Sequence, residues 1–141
     1  MLNAVMCVDD DSVTIMLCKI VIKKSLFANN IIAAENGQKA LDYFDKQLQL
    51  PEAERQLPQL ILLDLNMPVI DGWGFLDAFL EKFTHQLSSI PIAILSSSIN
   101  PADATKAKNY PAVFSFLPKP LSTEQLQELT NREEFKAYFS N

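Results

Sequence analysis

The sequence predicts an α/β fold: a doubly wound five-stranded parallel sheet with helices on both faces. Three observations carry this. Short apolar runs of four to six residues recur along the chain, and they are continuous rather than alternating, as strands buried on both faces are. Between them lie stretches whose apolar residues repeat at helical spacing, so strand and helix signals alternate. The chain has 141 residues, 48% hydrophobic and 21% charged, which suits one ordinary globular domain and excludes disorder for its bulk.

The first run, Asn3-Ala4-Val5-Met6-Cys7-Val8, stops at Asp9-Asp10-Asp11. Val13, Met16, Leu17, Ile20 and Val21 then mark a helix face, with Asp11 or Ser12 to cap its start and Lys23-Lys24 at its C-terminal dipole. Asn30 to Ala34 is the second strand, closed by Glu35-Asn36-Gly37, and a helix from Gln38 to Leu48 turns Ala40, Leu41 and Phe44 inward. Pro51 and Pro58 break the stretch Gln49 to Gln59 into a long connection. Leu60-Ile61-Leu62-Leu63 is the most apolar run and the expected central strand. After a turn at Asp71-Gly72, Phe75, Leu76, Phe79, Leu80 and Phe83 give the third helix its face. Pro91 to Leu95 is the fourth strand, and Pro101 to Lys108 a polar helix opened by proline. Val113 to Phe116 is the fifth strand, and Ser122 with Gln125 forms a capping box for a helix through Leu129. A short helical tail from Arg132 to Phe139 ends the chain.

The formal charge is −5, and no Lys/Arg cluster is long enough to follow a phosphate backbone, so nucleic acid is not an expected partner. Asp9 to Asp11 interrupt any signal-peptide core, and no apolar run approaches the ~20 residues of a membrane span. Cys7 and Cys18 make neither a disulfide framework nor a zinc site. A cytoplasmic protein that does not enter membranes is expected.

Ligands of open α/β sheets bind beyond the carboxyl ends of the strands, where the winding reverses. Asp9-Asp10-Asp11 follow the first strand, Asp64 the third, Ser96-Ser97-Ser98 the fourth, and Lys119 the fifth. Under strand order 2-1-3-4-5 these four strands are neighbours, and the second, which contributes only Glu35-Asn36-Gly37, lies at the edge. Gathered carboxylates repel one another unless a cation lies between them. All-oxygen ligation points to Mg²⁺ before Ca²⁺, with water completing the shell. A phosphoryl oxygen could join that shell, with a lysine and a hydroxyl taking the remaining oxygens. A carboxylate can itself attack phosphorus. Asp64, alone on the central strand, is the expected nucleophile, while the paired Asp9 and Asp10 suit metal.

Four motifs in this order closely resemble the receiver domain of two-component response regulators: Val8-Asp9-Asp10; Leu63-Asp64-Leu65-Asn66-Met67-Pro68 with Asp71-Gly72; Leu95-Ser96-Ser97; and Lys119-Pro120. The resemblance implies the flavodoxin-like order 2-1-3-4-5. It implies a receiver domain over residues 1–130, with residues 131–141 a short helical tail and no output domain. Asp64 would be the phosphoacceptor and, with it, Asp9 and Asp10 the acidic pair that holds metal, Asp10 ranking ahead of Asp9 as a direct ligand. Asn66 would offer its backbone carbonyl to Mg²⁺. Ser96 would contact the phosphoryl group, Lys119 would pair with it, and Phe116 would occupy the aromatic switch position. Lys119-Pro120 is expected to be cis. Ser96 stands where threonine is more usual, and Pro118 flanks the lysine on its other side. The long connection 49–59, with Gly72-Trp73-Gly74-Phe75-Leu76 and Ser96-Ser97-Ser98-Ile99, is similar to stand-alone receivers associated with phytochromes and hybrid kinases.

The implied function is a phosphoacceptor switch rather than an enzyme acting on a substrate pool. A sensor histidine kinase would donate phosphate, and the signal would leave by docking to a downstream protein target, by relay to a histidine phosphotransfer protein, or through a phosphorylation-dependent homodimer. Two other classes compete. An aspartyl-phosphate hydrolase of the haloacid-dehalogenase type needs an acid two residues after its nucleophile, where this chain has Asn66. A degenerate receiver acting as a binding module would not keep Asp9, Asp10, Asp64, Ser96 and Lys119 together. His85, near the end of the third helix, reads as a solvated helix-end residue; Trp73 reads as packing of its helix start.

Overall fold

The computed structural model describes residues 1–87, 89–97 and 100–139. Among them, five strands alternate with helices: β1 (Leu2–Val8), α1 (Ser12–Lys24), β2 (Ala28–Ala34), α2 (Gly37–Leu48), β3 (Ile61–Leu63), α3 (Gly72–Leu87), β4 (Ile92–Ser96), α4 (Pro101–Ala107), β5 (Val113–Pro118), α5 (Thr123–Thr130) and α6 (Lys136–Phe139). The strands form one parallel sheet in the order β2-β1-β3-β4-β5. Fold class and strand order are as the sequence predicts. No helix among the described residues is long and apolar enough to cross a membrane.

Strand alternation splits the core in two. Met6, Val8, Ile61 and Leu63 face Phe44 of α2 and Phe75, Phe79 and Phe83 of α3. Val5, Cys7, Leu60 and Leu62 face Cys18 and Ile22 of α1 and Leu126 and Leu129 of α5. Leu60 to Leu63 are all buried, so the continuous apolar run is a strand covered on both faces.

The α1 face differs from expectation. Val13, Met16, Leu17 and Ile20 are exposed, by 55, 52, 39 and 54% respectively, while Cys18 and Ile22 are buried. Helix α1 is apolar nearly all round, so two overlapping stripes fit a helical period and packing against the sheet chooses between them. The boundaries also move slightly. β2 begins at Ala28 and β5 runs on to Pro118, and α2 starts at Gly37 behind an Asn36 cap that accepts from Lys39 N–H. Ser98 and Ile99 lie outside the described residues.

The connection after α2 is held in place by side chains. Arg55 donates through Nε to Leu50 O at 3.0 Å and through Nη2 to Leu48 O at 3.2 Å, satisfying carbonyls at the helix C-terminus. Tyr43 Oη donates to Gln56 O at 2.6 Å. Arg55→Ala should therefore cost about 1–2 kcal/mol in urea unfolding, the range for charge-assisted hydrogen bonds on a partly exposed surface. The tail packs on the domain: Phe135 is fully buried and meets Phe27 and Phe114 at centroid distances of 6.3 and 5.6 Å.

Candidate functional site

Parallel register builds the site. Val8 pairs with Leu63, and Asp64 N–H donates to Val8 O at 2.9 Å. Asp9 and Asp64, each one residue past a strand end, therefore stand side by side. On the other flank, Ser96 pairs with Pro118 and Lys119 N–H donates to Ser96 O at 2.9 Å, which brings the lysine back over the sheet. The peptide Lys119-Pro120 is cis, as expected.

Carboxylate oxygens of Asp9, Asp10 and Asp64 all lie within 4.8 Å of one another. Asp9 and Asp64 are buried and Asp10 is exposed. The Lys119 ammonium stands 2.8 Å from Asp9 Oδ2 and 3.6 Å from Asp64 Oδ1. Asp9 Oδ1 accepts from Asp11 N–H at 2.9 Å. Asp9 Oδ2 is buried and faces the Lys119 ammonium as an ion pair. One ammonium shared between two buried carboxylates, with Asp10 beside them, leaves negative charge in excess, which a further cation would offset. The donors are all oxygen and fit a hard divalent ion. Among the sequence-predicted ligands, Asn66 is exposed at the rim and its N–H donates to Asp64 Oδ1 at 3.3 Å.

Burial raises the Asp64 pKa above the ordinary aspartate value, and Asp9 adds to that, while Lys119 and the Asn66 N–H pull it back. Burial pulls Lys119 down, but Asp9 and Asp64 outweigh it and leave the ammonium pKa raised. Because Asp64 holds its proton to higher pH in the folded chain, its contribution to stability is full at acid pH and is lost as pH rises through the raised value. Asp64→Asn should thus melt above wild type at neutral pH without divalent ions, by about 3–5 °C if about 1 kcal/mol is relieved. The gap should close as pH falls toward about 4, the ordinary aspartate range; an equal gap at both pH values would refute it.

Ser96 is 1% exposed at the end of β4, beside this mouth. Phe116 lies on β5 opposite Ile94, half-buried, and lines a groove of about 160 Å³ between β5 and α4 with Ala104 and Ala107. The structure thus brings together Asp9, Asp10, Asp64 and Lys119, with Ser96 and Asn66 on the strand ends around them. Phe116 stands away from the acids on the edge strand. Trp73 packs on Tyr110 at 5.5 Å and beneath the Lys106 ammonium at 4.8 Å, so it braces α3 against the end of α4. His85 is exposed. Gly72, read from sequence only as a turn residue, has a second role. A Cβ there would stand 2.7 Å from Asp64 O and from Leu65 Cα, so glycine lets α3 start against the backbone of those two residues.

A doubly wound sheet with an oxygen-only acidic mouth and an inward lysine defines a class of α/β domains built around one anionic strand-end site. Residues 5–131 match the response regulator receiver domain, and the chain belongs to that family. It is 34% identical over 137 residues to the probable methanogenesis regulatory protein FilR2 of Methanothrix harundinacea, covering 96% of this chain and 82% of that one. Among solved structures, a two component response regulator from Cytophaga hutchinsonii superposes with a TM-score of 0.82 at 28% identity, covering 92% of this chain and 95% of that one. The bacteriophytochrome response regulator RtBRR gives a TM-score of 0.75 at 27% identity, covering 100% and 82%.

Proposed function

We propose that the chain is a phosphoryl-accepting signalling switch of the cytoplasm, with Asp64 as acceptor and a sensor histidine kinase as donor. The observation that carries this is the convergence of three carboxylates within 4.8 Å around one lysine. Asp9, Asp10, Asp64 and the Asn66 carbonyl would hold Mg²⁺. Bound there, the ion would supply positive charge to the phosphoryl oxygens and relieve the repulsion among the acids. An Asp64 oxygen attacks phosphorus in line, the phosphorus–nitrogen bond of the donor histidine breaks, and the electron pair and a proton end on the imidazole. Lys119 meets charge on the equatorial oxygens, and Ser96 supplies a hydroxyl to the same group.

The exposed stripe Val13, Met16, Leu17 and Ile20 begins two residues past Asp11, beside the mouth, and favours docking of a protein donor over a purely small-molecule one. On the far flank, the half-buried Phe116 and the groove against α4 support a readout through α4, β5 and α5. There Phe116 would turn inward on phosphorylation, and the signal would pass to a downstream protein, to a histidine phosphotransfer protein or to a second copy. In this reading the segment after α5 is a tail that packs on the domain through the buried Phe135.

Acetyl phosphate and Mg²⁺ should load wild type with a single phosphoryl group labile to base. Titration with Mg²⁺ alone should shift amide resonances around Asp9, Asp10 and Asp64, and Asp10→Ala should lose that response. An unchanged titration in Asp10→Ala would take that residue out of the metal site.

A further inference from the structure

The loop from β3 to α3 is braced more heavily than a simple connection requires. Its base is closed by Gly72 N–H donating to Leu65 O at 3.0 Å. At its tip, Ile70 N–H donates to Pro68 O at 2.8 Å, making a three-residue turn centred on Val69. Val69 has φ +69° and is 91% exposed. A β-branched residue in the left-handed region is an outlier, and turns of this hand are rare and strained. Its own side chain buries almost nothing to offset that.

The turn folds the next side chain inward. Ile70 Cγ2 lies where a Cβ on Gly37, at the start of α2, would be 3.2 Å away, and where a Cβ on Gly74, in α3, would be 3.0 Å away. Two helix starts thus carry glycine opposite the same methyl group. Ile70 is wedged between them, partly buried against the core cluster of α2 and α3. Four residues back along the same braced loop is Asn66.

We infer that Ile70 is a positioning residue for the metal-binding loop: its seat between Gly37 and Gly74 fixes the path of residues 65–70 and so aims the Asn66 carbonyl. This rests on the metal reading of the acidic site. Packing alone gives no reason to hold an exposed valine in a strained turn, whereas a loop that must present a backbone carbonyl in one direction does.

Mg²⁺ titration of the full chain, followed by backbone amide shifts, tests this. Ile70→Ala should weaken Mg²⁺ binding about tenfold, the lower end of what lost outer-shell support costs. Ile70→Val keeps Cγ2 and should bind as wild type does. Leu57→Ala, a partly buried core residue in the connection before β3, should lower the melting temperature and leave Mg²⁺ affinity alone. Wild-type affinity in Ile70→Ala would overturn the inference and leave Ile70 a packing residue. Should that variant not fold, Gly37→Ala presses on Ile70 from α2 with a residue that favours helix. Weaker Mg²⁺ binding there supports the positioning role, and unchanged binding overturns it. Absence of any saturable shift in wild type would overturn the metal site and the positioning role together.

Discussion

Asp64→Asn should take up no base-labile phosphoryl group from acetyl phosphate and Mg²⁺, while wild type takes up one, as read by intact mass before and after alkaline treatment. The amide keeps the shape of the carboxylate, but its oxygen is a poor nucleophile and its nitrogen lone pair is delocalised. Asp64 is 5% exposed, so the substitution leaves the surrounding packing in place. Since removing its charge also relieves repulsion within the cluster, loss of labelling should coincide with a gain in thermal stability. That pairing separates lost chemistry from lost fold. Stable labelling of the variant at another residue would overturn Asp64 as the acceptor, and slow turnover of generic phosphate esters by wild type would favour hydrolysis instead.

Lys119→Ala should slow phosphorylation of Asp64 by about 10²–10³, the usual loss when one preorganised charge stabiliser is removed from a water-poor site. Lys119→Arg should recover little of it. The ammonium reaches Asp9 Oδ2 at 2.8 Å from a partly buried stem, and a broad planar fork cannot take the place of a compact point charge there. Stopped-flow loading with acetyl phosphate checks both variants. A wild-type rate in Lys119→Arg would show that the pocket has room, and that positive charge alone, not its compactness, is what the lysine supplies.

Much of this site was legible because the residues that carry it are polar and sit where a parallel strand ends. Asp9, Asp64 and Ser96 each follow an unbroken apolar run, so the position of each acid or hydroxyl follows from the position of its strand. The lysine was legible in place but not in reach. Its contact with Asp9 depends on the β4–β5 register, which shifts by an irregularity between Ile92 and Ala93, and no local pattern encodes that. The buried side of α1 was not legible. With Ile15, Met16, Leu17, Cys18, Ile20, Val21 and Ile22 crowded on one helix, hydropathy fits more than one face, and only the packed sheet selects Cys18 and Ile22. The clearances at Gly37, Gly72 and Gly74 were equally hidden, because a glycine records nothing about the neighbour it admits.

The aromatic tail has a consequence for the topology of the chain. The Met1 nitrogen donates to Tyr138 O at 2.6 Å, while Phe27, ahead of β2, meets Phe139 at 5.3 Å and Phe135 at 6.3 Å. Met1 and Tyr138 of α6 therefore lie together at the amino ends of the strands, across the sheet from the acids. A circular permutant joined there by a few flexible residues and reopened at the exposed turn Glu52–Glu54 would keep each strand beside its present neighbours. Cargo fused at the seam would sit a full strand length from Asp9 and Asp64 and leave the mouth clear.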